Sequence, residues 1–234
     1  MQSERVRSAT ELVSDDDAWP ILLSAIEGSN GRCVALAPSD DAAECLHALQ
    51  VTTRSVLGAV AFHSGGLLID RGWLRLYGSG HGFLPSLAVA NSLPGSDGTP
   101  PPMLLFGVDV LGGRFAINGG GGALPGSPGE VCFWAPDSLV WQALGVGHSD
   151  FVYGMVSRGP EVLYETLRWP GWEDEVAAVR LDQGLMLFPP PCTTEGHDVS
   201  SVSRRAVPRA ELDAWLDQLA TLPEDGHFRV RVEP

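Results

Sequence analysis

The sequence predicts an α+β fold, an antiparallel meander sheet flanked by helices. Three observations predict it. Short alternating apolar stretches over 67–77 and 103–144 are punctuated by Gly- and Pro-rich turns. The segments before and after them instead carry apolar residues at three- and four-residue spacing, the helical period. Hydrophobic residues make up 44% of the 234-residue chain, enough to bury a sizeable core and to argue against extended disorder.

The elements follow in order. Asp15–Asp17 offer caps and favourable charge, and Pro20 fits a first helical turn. Trp19, Leu22, Leu23 and Ile26 then share one helical face until Gly28-Ser29-Asn30-Gly31 ends it. Cys33–Leu36 reads as a short strand. Ser39 is placed to cap a second helix through Leu49, with Ala42, Cys45, Leu46 and Leu49 as its stripe. A third helix starts near Ser55, and Gly65-Gly66 is placed to close it in the left-handed conformation.

The period then changes. Leu67–Asp70 and Trp73–Tyr77 read as a hairpin about Arg71-Gly72. Leu74 and Leu76 take one face; Trp73, Arg75 and Tyr77 take the other. The Gly-, Ser- and Pro-rich stretch from Gly78 to Pro102 reads as a surface loop. Met103–Val110, Arg114–Asn118, Glu130–Ala135 and Leu139–Leu144 form the clearest sheet, turning at Gly112-Gly113, at Gly119–Gly129 and at Pro136-Asp137-Ser138. Helices are expected over Asp150–Val156, Pro160–Leu167 and Trp172–Val179, then a strand at Leu185–Phe188 and irregular chain over Pro189–Ser203. Pro208 opens a last helix to Leu219, with Leu212, Trp215, Leu216 and Leu219 as its buried stripe. No internal repeat or linker divides the chain, so residues 1–234 read as one domain, with 208–234 a C-terminal helix and extension packed on it.

Charge narrows the function. The net charge is −14, and every one of the 15 cationic residues is arginine. Sequence-independent nucleic-acid binding needs a cationic surface and is disfavoured. An acidic surface suits a basic protein partner through electrostatic steering. No apolar run reaches the roughly 18 residues of a membrane span, and the first residues carry no secretory signal, so a cytoplasmic location is expected. The four cysteines are scattered without CxxC spacing and read as buried small hydrophobes. The histidines form no HxxxH or HxH pair, and no metal or cofactor is implied.

Several residues invite chemistry. Gly78-Ser79-Gly80-His81-Gly82 could expose backbone N–H groups to a phosphate or present a Ser/His pair. A P-loop is excluded because the chain has no lysine, and the pattern differs from the GxSxG elbow of serine hydrolases. Gly119–Gly122 sits between expected strands, where a dinucleotide site would need a helix to follow. Trp134 alternates away from Val131, Phe133 and Ala135, as Arg114 and Asn118 alternate away from Phe115 and Ile117. If that face is open, Arg114, Asn118 and Trp134 make a mixed polar–aromatic surface of the kind enriched at protein interfaces; if helices cover it, Trp134 is core. A small-molecule or enzymatic alternative places a pocket near the Gly78–Gly82 loop with His81, Asp109, Asn118 and Trp73. The binding candidates are therefore Trp73, Arg75, His81, Asp109, Arg114, Asn118 and Trp134, with no catalytic residue and no metal ligand assigned.

A resemblance adds to this reading. Gly65–Gly80 (GGLLIDRGWLRLYGSG), Asp109–Gly120 (DVLGGRFAINGG), Phe133–Leu139 (FWAPDSL), Leu167–Glu175 (LRWPGWEDE) and Ser203–Pro208 (SRRAVP) resemble a bacterial domain-of-unknown-function family, number 2625. The likeness runs from about Leu12 to Leu216 and implies one unit without an assigned site. The loops Ser92–Pro102 and Gly119–Pro128 and the tail from Thr221 depart from it. The helix ending in Gly-Gly, the strand pair and the meander are also similar in architecture to the SUKH superfamily, many of whose members are toxin-immunity proteins. That likeness implies binding rather than catalysis. The expectation is a non-enzymatic interaction module, with a homo-oligomer also open.

Overall fold

The computed structural model describes residues 5–95 and 101–222. Along the chain come α1 (Ala9–Leu12), α2 (Trp19–Glu27), β1 (Cys33–Leu36), α3 (Ala42–Leu49), α4 (Val56–His63), β2 (Gly66–Ile69), β3 (Leu74–Tyr77) and α5 (Leu87–Ala90). Then follow β4 (Met103–Asp109), β5 (Arg114–Asn118), β6 (Glu130–Trp134), β7 (Trp141–Gly147), α6 (His148–Ser157), α7 (Glu161–Tyr164), α8 (Trp172–Ala177), β8 (Gln183–Phe188), β9 (Ser203–Pro208) and α9 (Arg209–Ala220). Strands β1 to β7 form one antiparallel sheet in sequence order, and β8 pairs with β9 in a separate hairpin. The architecture is the α+β meander that the patterning predicts.

Register decides what lies on each face. Leu67 pairs with Leu76 and Ile69 with Leu74, while Phe115 pairs with Phe133 and Ile117 with Val131. Paired residues project to the same side, so these form one apolar face. Helices α2, α4 and α6 cover it. Phe151 of α6 lies 5.6 Å from the Phe106 ring and 5.2 Å from the Phe115 ring, and Leu22 and Val60 are buried in the same core. The opposite face carries Arg75, Val108, Arg114, Trp134 and Trp141 in register. There α9 and the β8–β9 hairpin pack, with Trp134, Val207, Leu212 and Leu216 in one buried cluster. Each such side chain is worth about 1.5–3 kcal/mol of burial, which is why the Leu212/Leu216 stripe docks.

Several boundaries depart from expectation for local reasons. The segment before Val13 forms α1, closed by a capping box between Ser8 and Glu11. Ser39 does not cap α3. Its hydroxyl donates to Ser79 O and its N–H donates to Ser79 Oγ, tying two loops together. Ser55 does cap α4 by accepting from Gly58 N. Helix α4 ends at extended Ser64 rather than in a left-handed glycine, and Gly66 already belongs to β2. The stretch 78–102 is no simple surface loop: residues 78–80 are buried, and Ser86 caps α5. Leu139 has φ of 58°, so the turn after β6 runs to Val140. Ser203–Pro208, between the irregular chain expected to Ser203 and the helix expected from Pro208, is strand β9 along the whole length of β8. The expected tail extension beyond Leu222 lies outside the described residues.

Candidate functional site

Trp73, Arg75 and Asp109 come together, but inside the molecule. The β2–β3 turn places Asp70 and Arg71 in the left-handed region, with φ of 49° and 57°. Trp73 is fully buried, with ring centroids of Tyr164, Trp169 and Trp172 at 5.3, 5.7 and 5.1 Å. Arg75 is 2% exposed and donates to the carbonyls of Gly72, Arg180, Leu181 and Gln183. Burial, with Arg209 nearby, lowers its pKa to about 10, so it stays charged at neutral pH. It acts as a staple between β3 and the chain entering β8.

Asp109 Oδ1 accepts from Leu111 N at 2.9 Å and Gly113 N at 2.7 Å. Its Oδ2 accepts from the Tyr164 hydroxyl at 3.0 Å. Burial raises its pKa against these hydrogen bonds. A Cβ on Gly113 would sit 2.0 Å from Oδ2, so the second glycine of DVLGG leaves room for the carboxylate. The arrangement shapes the β4–β5 turn and keeps the carboxylate away from solvent.

The face carrying Arg114, Asn118 and Trp134 is covered, which corrects the open-surface alternative. Trp134 is 5% exposed beneath α9. Arg114 lies 4.8 Å from its ring and pairs with Asp217 at 2.8 Å and Asp213 at 3.5 Å. Asn118 Nδ2 donates to the carbonyls of Leu124, Pro125 and Gly126, and its Oδ1 accepts from Gly120 N. Asn118 thus orders the glycine loop after β5. In that loop Gly120, Gly121 and Gly122 have φ of 91°, 80° and 79°, and the next regular element is strand β6.

Around Gly78–Gly82 the glycines permit close backbone approach. A Cβ on Gly78 would meet Ser64 O at 2.3 Å, and one on Gly65 would meet Ala37 O at 2.5 Å. The buried Ser79 hydroxyl donates to Ser64 O, whereas exposed His81 sets Nδ1 3.1 Å from Ala37 O. Serine and histidine hold separate backbone partners rather than each other. An open cavity of about 640 Å³ does adjoin this loop, lined in part by Asp41, Glu44, Cys45, His47, Ser79 and Ser86. Burial raises the pKa of the Cys45 thiol. Among the described residues no group of three His, Cys, Asp or Glu could hold a metal.

The second sheet face is left open at its β1–β2 end, and there lies a groove of about 1040 Å³. Val34 and Leu68, paired in register, form its floor, with Val34 51% exposed. Arg32 and Asp70 lie two residues away on the same side, Arg71 stands at the hairpin tip, and Arg168 and Trp172 form the wall. Arg168 pairs with Asp70 at 2.6 Å and lies 4.1 Å from the Trp172 ring and 4.9 Å from the Trp73 ring. Arg32 approaches Asp70 at 3.8 Å and donates to Ser157 O. The sequence reading did not single out these residues. The clue was the arginine–tryptophan pairing in IDRGW and LRWPGW, which the fold sets side by side.

The family described as "Protein of unknown function DUF2625" matches residues 9–212. The chain is 37% identical to the uncharacterized protein YbfG of Escherichia coli (strain K12), over 79% of this chain and 85% of that protein. It is 31% identical to an uncharacterized protein of Haemophilus influenzae, over 75% of this chain and 78% of that protein. No solved structure matches. The chain belongs to the DUF2625 family.

Proposed function

We propose that this member of the DUF2625 family is a non-enzymatic interaction module that docks a protein partner in the β1–β2 groove. The carrying observation is the groove itself: an uncovered sheet floor beside Trp172 and three arginines, the residue types that dominate binding energy at protein interfaces. The net charge of −14 would steer a basic partner toward the molecule and speed encounter. An immunity-like role fits this reading, since it requires shape and charge complementarity and no reacting group. No helix among the described residues is long and apolar enough to cross a membrane.

A photo-crosslinking residue at Val34 tests the reading, with one at Val162, which is 92% exposed on α7, as control. The expected result is a discrete protein adduct from Val34 that Trp172→Ala diminishes. Equal adducts from both positions, or none from Val34 at low salt, would sink it.

A second reading rests on the cavity beside Ser79, whose polar lining could hold a small molecule. A thermal-shift screen of metabolites tests it, because a ligand specific for the folded state raises Tm. A hit abolished by Ser86→Trp would support it, and a screen without hits would count against it.

A further inference from the structure

We propose that the β1–β2 groove seats a single carboxylate of its partner, carried between apolar side chains, on the guanidinium groups of Arg71 and Arg168. This rests on the groove being the docking surface. The argument begins with donor accounting. Three arginines line the groove, each with five N–H donors, and one carboxylate, Asp70, serves both Arg32 and Arg168. Arg168 uses Nη2 for that pair, its Nε is buried without an acceptor, and its Nη1 has no hydrogen bond among the described residues. The Arg71 side chain is exposed and has no hydrogen bond or ion pair among them. The exposed Arg71 fork and Arg168 Nη1 are thus the unspent donors of two arginines that line the groove, Arg168 Nε being buried, and a carboxylate is the planar acceptor that matches a guanidinium fork.

The lining also limits what can enter. Glu161 and Glu173, both exposed, also line the groove and repel a polyanion such as nucleic acid or polyphosphate. Val34 and Leu68 below and Trp172 beside them offer apolar contact on either side of the anion. One acidic side chain flanked by apolar ones satisfies both constraints, and a bare anion satisfies only the first.

The test uses the full chain and three capped peptides, Ac-Ser-Gly-Leu-Glu-Leu-Gly-Ser-NH2 and its counterparts with Gln or Lys in place of Glu. The Trp172 indole N–H resonance, assigned by its loss in Trp172→Phe, reports the groove. The Glu peptide should shift it saturably at millimolar concentration, with the Gln peptide at least fivefold weaker and the Lys peptide silent. Arg71→Ala should weaken the Glu peptide at least fivefold and leave the Gln peptide unchanged. Glu and Gln peptides within twofold of each other, no saturable shift, or an unaffected Arg71→Ala variant would each overturn the proposal. A Val34 crosslink together with equal Glu and Gln binding would reject the carboxylate while leaving the docking surface standing.

Discussion

The Tyr164 hydroxyl donates to the Asp109 carboxylate at 3.0 Å within the core, joining the α7 segment to the β4–β5 turn. Because Oδ1 serves two backbone N–H groups and Oδ2 meets only this hydroxyl, which can accept as well as donate, the site needs one fixed acceptor oxygen and a hydrogen-bonding partner for the tyrosine more than it needs a charge. Asp109→Asn keeps Oδ1, and its Nδ2 can donate to the tyrosine oxygen, so urea unfolding should move by about 1 kcal/mol or less. Asp109→Ala leaves buried donors unmet and should cost on the order of 3 kcal/mol. Since burial raises the Asp109 pKa, its ionisation opposes folding as pH rises above the ordinary carboxylate range. Asp109→Asn should remove that component of the pH dependence.

His148 gives the opposite dependence. Its ring packs edge-on against Phe106 at 4.7 Å, and burial lowers its pKa from 6.5 to about 4. The unfolded chain takes up a proton before the folded one does, so this contribution is whole above pH 6.5 and is lost as pH falls toward 4. Thermal melts between pH 7 and pH 4 should show a falling Tm, and His148→Phe should flatten that decline. An unchanged slope would place the acid sensitivity elsewhere.

The two glycine-rich loops should respond differently to alanine. Gly78→Ala puts a methyl 2.3 Å from Ser64 O and should cost roughly 2–3 kcal/mol. Gly121 has φ of 80° with no atom within 4 Å of an added Cβ, so Gly121→Ala should cost only about 1 kcal/mol of backbone strain. Chemical denaturation separates the two.

Helix α9 is held more by its leucines than by its charges. Leu216→Ala removes a side chain 1% exposed against Trp134 and should cost about 2–5 kcal/mol. Asp217→Asn breaks the 2.8 Å pair with Arg114, but the Asp217 side chain is 57% exposed, so the cost should stay below about 1 kcal/mol. Comparable losses from both variants would refute this ranking.

Sheet and helices were legible because period two and period 3.6 are written in local sequence, as in Arg114–Asn118 and in the Leu212/Leu216 stripe. Strand β9 was not, because Arg204 and Arg205 interrupt its apolar pattern and the hairpin with β8 supplies the pairing. The roles of Asn118 and Asp109 were hidden for a different reason. Both bind backbone groups that only the folded turn brings near, and a polar residue beside glycines reads equally as ligand or as turn former. The groove lay beyond sequence reading because Arg71 and Arg168 are far apart in the chain, and nothing local says which stretch of a sheet face stays bare.

In the main sheet every strand lies beside its neighbour in the chain. Assembly can therefore proceed by successive zippering, each step closing a modest loop at small entropic cost. The same ordering makes the chain divisible. A break within 119–129 would leave β1–β5 on one fragment and β6–β9 on the other, rejoined by the β5–β6 ladder and by the packing of α6, α9 and the β8–β9 hairpin on the first fragment's sheet.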